Sequence, residues 1–207
     1  MWKKHKLFWL QKPFITSVVL GLGFFAVSLF ANYYANLYTS IHASNSVTDI
    51  LLDYLPVVDV HLIFSEGAVV FMLALVGILF FEPKYIPFTI KTIAVFILIR
   101  SFFLILTHIG PPAQEIYIDP ADFISQISSG NDLFFSSHTG LPFLMAFIFW
   151  KQKWLRYFFL VCAVIGGVAV LLGHLHYSID VFSALFISFG LYSISKHIFK
   201  ADYQIAA

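Results

Sequence analysis

The sequence predicts an all-α membrane protein: a single domain, residues 1–207, folded as a bundle of six transmembrane helices with both termini cytoplasmic. Three observations predict it. The chain is 60% hydrophobic and 11% charged, with a mean hydropathy of +0.87, where a soluble domain carries roughly 25% charged residues. Apolar runs recur at lengths near the roughly 20 residues that a helix needs to cross a bilayer. The basic residues are distributed one-sidedly between those runs.

A short basic segment, with Lys3, Lys4, Lys6 and Lys12, precedes the first span, about 13–33. That run is longer than a signal-peptide core and lacks a small-residue cleavage site, so it reads as a retained span. A polar connection over 40–59 leads to the second span, about 61–81, which contains Glu66. A short turn from Glu82 precedes the third span, about 88–108, which contains Arg100. The longest polar stretch follows, with Glu115, Asp119, Asp122 and Asp132, the first three forming a candidate lid. The fourth span is about 133–150, the fifth about 157–172 and the sixth about 177–195, with a basic turn at Lys151, Lys153 and Arg156 between the fourth and fifth. Lipid-exposed backbone must hydrogen-bond within its own segment, so each span is predicted helical.

With six spans, the segments around Lys3–Lys12, Lys84, Lys151 and Lys196 share one side and carry eleven of the twelve Lys and Arg residues. The positive-inside rule makes that side cytoplasmic. Arg100 is the exception. Nine of the eleven acids fall on the other side or in the outer half of a span. A net charge of +1 gives no case for nucleic acid, and the single Cys162 excludes an intrachain disulfide. Trp2, Trp9, Trp150 and Trp154 read as interfacial anchors.

The topology sends Glu66, Arg100, His108, Asp132, His138, His174, His176 and Asp180 to one depth near the non-cytoplasmic face. Ionisable groups in spans usually face a bundle interior or a wet cavity. His176 and Asp180 are four apart, which on a helix is one face. A carboxylate there accepts an imidazole N–H and fixes its tautomer. Two histidines facing across a cavity suit phosphoryl transfer, one attacking and the other protonating the leaving oxygen.

At these residues the chain resembles the type 2 phosphatidic acid phosphatase superfamily, sphingomyelin synthase-like branch. Ser136-Ser137-His138-Thr139 is similar to the branch's Ser-Gly-His-Thr, with Asp132 standing for the preceding acid. His176-Tyr177-Ser178-Ile179-Asp180-Val181 is similar to its His-Tyr-Thr-x-Asp-Val. Arg100 through Pro112 resembles the third-span signature, and Leu55-Pro56 with Asp59 and Glu66 resembles a weaker first motif. The resemblance implies a phosphohistidine mechanism with no metal and no cofactor. His176 would be the nucleophile, Asp180 its orienting carboxylate and His138 the general acid. Arg100, Ser136 and Ser137 would contact phosphate, with Asp132 and Glu66 supporting.

The chain also departs from the pattern. Gly130-Asn131 replaces Cys-Gly, and Ser137 replaces the motif's glycine. The Lys-x6-Arg-Pro of ordinary lipid phosphatases is absent, and Val170 stands where they carry an arginine. With those cations missing, Arg100 fits a monoanionic phosphodiester better than a phosphomonoester. The expected partners are a phospholipid donor, whose diacylglycerol leaves, and a lipid alcohol or water as acceptor. The expected setting is the bilayer of a bacterial inner membrane, with the site facing away from the cytoplasm. The alternative is a phosphatidic acid-type phosphatase. More remote are a bis-histidine haem protein and a transporter using Glu66, Arg100 and Asp132. Each residue also has a plainer reading: His138 as a helix cap, His174 as cavity lining, and Asp49, Asp53 and Asp59 as solvated loop.

Overall fold

A computed structural model describes residues 2–116 and 133–207, with only the backbone of Lys3. Asp119, Asp122, Gly130, Asn131 and Asp132 lie outside the described residues. Among the described residues 76% are helical and none is in a strand.

The helices in order are α1 (Trp2–Trp9), α2 (Lys12–His42), α3 (Gly67–Phe81), α4 (Ile86–Leu106), α5 (Ser137–Ile148), α6 (Lys153–Leu172), α7 (Ser178–Ile198) and α8 (Lys200–Ala206). A π-helical turn, Leu62–Glu66, leads into α3, and a 3-10 turn, Pro83–Tyr85, leads into α4. Prolines open α2 and α4, where the missing N–H would have had no intrahelical partner. Among the described residues, five helical stretches are long and apolar enough to cross a membrane: Lys12–His42, Leu62–Phe81, Pro83–Leu106, Lys153–Leu172 and Ser178–Ile198.

Three boundaries differ from those the sequence predicts. The first helix runs to His42 rather than ending near residue 33. At 1.5 Å per residue its 31 residues reach about 46 Å. Its polar last turns persist because they bond their own backbone: Thr39 Oγ1 donates to Ala35 O and Asn36 O, and Ser40 Oγ to Leu37 O. The predicted fourth span is the 12-residue α5, about 18 Å long, against a hydrocarbon core of roughly 30 Å. Phe135, at φ +24°, lies outside right-handed helical space and delays its start to Ser137. The residues after Lys196, which read as a tail, form α8 and pack back on the bundle: Tyr203 meets Phe88 at 5.4 Å.

Helix α5 is the centre of the bundle. Phe135, just before it, packs edge-on against Phe96 of α4 at 5.2 Å. Ser188 Oγ of α7 donates to Gly140 O at 2.9 Å. Phe149, just after it, meets Tyr85 and Phe159 at 4.6 and 5.4 Å. These contacts run α5 antiparallel to α4 and α6 and parallel to α7. One end of the bundle therefore collects the start of α3, the end of α4, the start of α5, the end of α6 and the start of α7.

Candidate active site

The start of α5 is built around Ser136. Its N–H donates to Asp180 O at 3.0 Å, so the two histidine-bearing segments touch through their backbones. Its carbonyl accepts the first helical N–H, from Gly140, at 2.8 Å. Its buried Oγ has no hydrogen-bond partner among the described residues. The N–H groups of Ser137, His138 and Thr139 precede that first bond and point out of the helix start, a ready anion-binding array. The Phe135 carbonyl accepts Arg100 Nε at 3.1 Å, and Arg100 is only 4% exposed. The strained Phe135 backbone is thus held by a buried cation from α4.

His138, in the first turn of α5, stacks on Phe64 with ring centroids 4.2 Å apart, and its Nε2 lies 3.2 Å from Phe64 O. A carbonyl only accepts, so Nε2 carries hydrogen. Phe64 belongs to the π turn, whose wider coil is closed by Gly67 N–H donating to Leu62 O. Gly166 of α6 permits the close approach: a Cβ there would sit 2.2 Å from His138 O. A Cβ at its neighbour Gly167 would meet Thr139 Oγ1 at 3.2 Å. The Gly-Gly pair was the sequence signal for this contact, because small residues let transmembrane helices meet backbone to backbone.

The second segment is a turn, not a helix face. Helix α6 ends with His174 N–H donating to Leu171 O and Leu175 N–H to Val170 O, the paired bonds of a Schellman motif. His174, at φ +52°, fills the left-handed position usually given to glycine. Its Nε2 lies 3.2 Å from Leu55 O. The residue read as cavity lining therefore makes the turn. Helix α7 begins only at Ser178, so His176 and Asp180 do not pair as helix neighbours. They meet because Asp180, in the first turn, reaches back. Its Oδ2 accepts Tyr177 N–H at 3.0 Å and lies 3.3 Å from His176 Nδ1. His176 is 5% and Asp180 1% exposed. The carboxylate accepts, which places hydrogen on Nδ1 and leaves the Nε2 lone pair as the ring's nucleophilic atom.

The remaining candidates are placed less centrally. Glu66 is largely exposed, and its ion contact is His61 Nδ1 at 3.9 Å. Ser137 is half-buried. His108 packs with tilted rings against Tyr38 and His42, at 5.4 and 5.7 Å. Asp49, read as solvated loop, is instead tied to α7: its Oδ2 accepts Ser178 N–H at 2.7 Å, and its Oδ1 accepts Leu51 and Leu52 N–H at 2.9 and 3.3 Å. Burial raises its pKa, but hydrogen bonds from Ser178, Leu52 and Leu51 outweigh that and hold it below the ordinary carboxylate value.

Together these features define a helical membrane-protein scaffold with a buried His–Asp pair beside a helix start suited to anions. Comparison then narrows the class. Residues 129–198, a third of the chain, match the family model described as PAP2 superfamily C-terminal. The match supports the type 2 phosphatidic acid phosphatase superfamily, and with it a membrane enzyme of lipid phosphatase or phosphotransferase type. It spans His138, His176 and Asp180, while Asp49, Glu66 and Arg100 lie outside it. No curated protein and no solved structure matches the chain.

Proposed function

We propose that the protein is a lipid-phosphoester phosphotransferase of sphingomyelin synthase-like type. The observation that carries this reading is the buried His176–Asp180 pair, backbone-linked to Ser136 at the start of α5. His176 Nε2 attacks the phosphorus of a phospholipid, forming an N–P bond as the P–O bond to diacylglycerol breaks. His138 delivers a proton to the departing oxygen. A lipid alcohol, or water, then attacks the phosphohistidine and gives its proton back to His138, and the N–P bond breaks. Asp180 holds the His176 ring and stabilises its positive charge. Arg100, Ser136 Oγ and the N–H groups of Ser137 and His138 accept the charge on the phosphoryl oxygens.

Six spans with a cytoplasmic basic end complete the proposal, α5 being the short one. The site then faces away from the cytoplasm, as in a bacterial inner membrane. The alternating helix directions support this arrangement. The phosphodiester preference rests on the absence of the phosphatase arginine at Val170, a buried residue of α6.

The test is mass spectrometry of lipids after incubating purified wild type and His176→Ala with phosphatidylcholine, phosphatidylethanolamine or phosphatidic acid, each with and without ceramide. Headgroup transfer to ceramide that is lost in the variant is expected. Diacylglycerol released from phosphatidic acid alone would make the protein a phosphatase. No His176-dependent change in any lipid would refute both readings.

A further inference from the structure

The turn that carries His176 has almost no helix of its own to hold it. His176 precedes α7, and His174 occupies a left-handed position that strains a non-glycine backbone. Something else must fix the ring. Two residues do so, and both act through segments outside the matched family region. Tyr177, 2% exposed, accepts Val47 N–H at 3.1 Å and donates to Gly110 O at 2.9 Å. Asp49 bonds Ser178 N–H at 2.7 Å, capping the helix start that places Asp180. The loop itself is pinned: Ser44 N–H donates to His108 O at 2.8 Å and Gly110 N–H to Asn45 O at 3.2 Å. Gly110 is required there, since a Cβ would lie 2.1 Å from Ser44 O.

We propose that Asp49 is a positioning residue for the His176–Asp180 pair, clamping the start of α7 from the loop after α2. Its catalytic consequence rests on the proposed role of His176. The clamp itself does not. Asp49 carries a negative charge to a helix N-terminus, where the exposed N–H groups and the dipole favour it. Three backbone N–H bonds make it a rigid tie rather than a flexible surface acid. Asp53, in the same loop, is exposed and serves as the control.

The experiment compares full-length wild type, Asp49→Ala, Asp49→Asn and Asp53→Ala in detergent, by steady-state turnover and by hydrogen exchange of the amides at 177–181. Asp49→Ala is expected to lower kcat about 10- to 100-fold, the cost of a small misplacement of a reacting group, with KM within about twofold. Exchange at 177–181 should quicken by a similar factor. Asp49→Asn, which keeps an acceptor oxygen, should recover part of both. Asp53→Ala should match wild type. Wild-type exchange protection in Asp49→Ala overturns the clamp, whatever the activity. A change in KM alone overturns the positioning role. If His176→Ala retains turnover, the proposed function fails while the exchange result still decides the clamp. If Asp49→Ala does not fold, Asp49→Asn carries the test, and wild-type exchange and kcat there overturn it.

Discussion

The two ends of the bundle treat buried polar groups in opposite ways. At the basic end, three side chains from different helices satisfy one another. Lys91 Nζ donates to Asp202 Oδ2 and to Ser17 Oγ, both at 2.7 Å, and Ser17 Oγ donates to Asp202 Oδ1 at 2.5 Å. That triad joins α2, α4 and α8 and leaves nothing to offer a ligand. At the other end, side chains are tied to backbone. Arg100 holds Phe135 O, His138 holds Phe64 O, His174 holds Leu55 O, and Asp49 holds Ser178 N–H. Each tie fixes a ring or a turn without consuming a second functional side chain. His176 and Asp180 differ in touching each other, as the proposed chemistry requires. A closed side-chain network suits a joint. Backbone ties suit a site, because they fix geometry without pairing one functional side chain to another.

Removing the functional pair should break this contrast most strongly. His176→Ala is expected to abolish lipid turnover, and Asp180→Asn to lower it by roughly 10⁴, the loss seen when an orienting carboxylate no longer fixes the tautomer. Lipid mass spectrometry checks both, and near wild-type turnover in either would remove the pair from the chemistry. His138→Gln should lower kcat by roughly 10²–10⁴, the range for a lost general acid. Phosphohistidine trapping should still find His176 labelled when the donor carries a good leaving group.

The opposite end should fail in stability instead. Asp202→Ala strands Lys91, whose side chain is 13% exposed, and is expected to lower stability by about 3–5 kcal/mol. Thermal melting checks it, and kcat of the folded fraction should be unchanged. Gly166→Ala lies between the two behaviours. Its methyl group meets the His138 carbonyl, so a loss of about 1–3 kcal/mol from overpacking should come with reduced turnover.

The smallest effect is acid-dependent. Asp49 is depressed in the folded state, so its contribution is present above the ordinary carboxylate value near 3.8 and is lost as pH falls through its lower folded value. Protection of the amides at 177–181, taken relative to their intrinsic exchange rate at each pH, should be lower at pH 3 than at pH 6 in wild type. Asp49→Asn should lack that difference, and an equal difference in the variant would disprove the assignment.

Much of the fold was legible because hydropathy is local. Spans of about 20 apolar residues and one-sided lysines required no tertiary contact to be read. The His176–Asp180 spacing was legible as a contact, although the expected geometry was not what formed. The i, i+4 spacing suggested a helix face, and the pair is instead closed by a first-turn aspartate reaching back past the helix start. Glu66 was expected to support the cavity and instead contacts His61 at an exposed position. Asp49 was invisible as a site residue because an acid in a polar loop carries no signal until the loop folds onto a helix start. His174 was read as cavity lining, and its place in the turn was not legible because that role is a backbone angle.

The sequence by itself determined that the chain is helical and apolar enough for a membrane, and that Arg100 and most of its acids and histidines are segregated from its lysines. Those properties are sums over local residues. Only the tertiary structure decided that α5 is short and central, that Gly166 admits His138, that Lys91 is buried against α8, and that Asp49 caps α7. Each of these depends on which backbone atoms approach within hydrogen-bonding or van der Waals distance across elements far apart in the chain. Periodicity does not encode those distances.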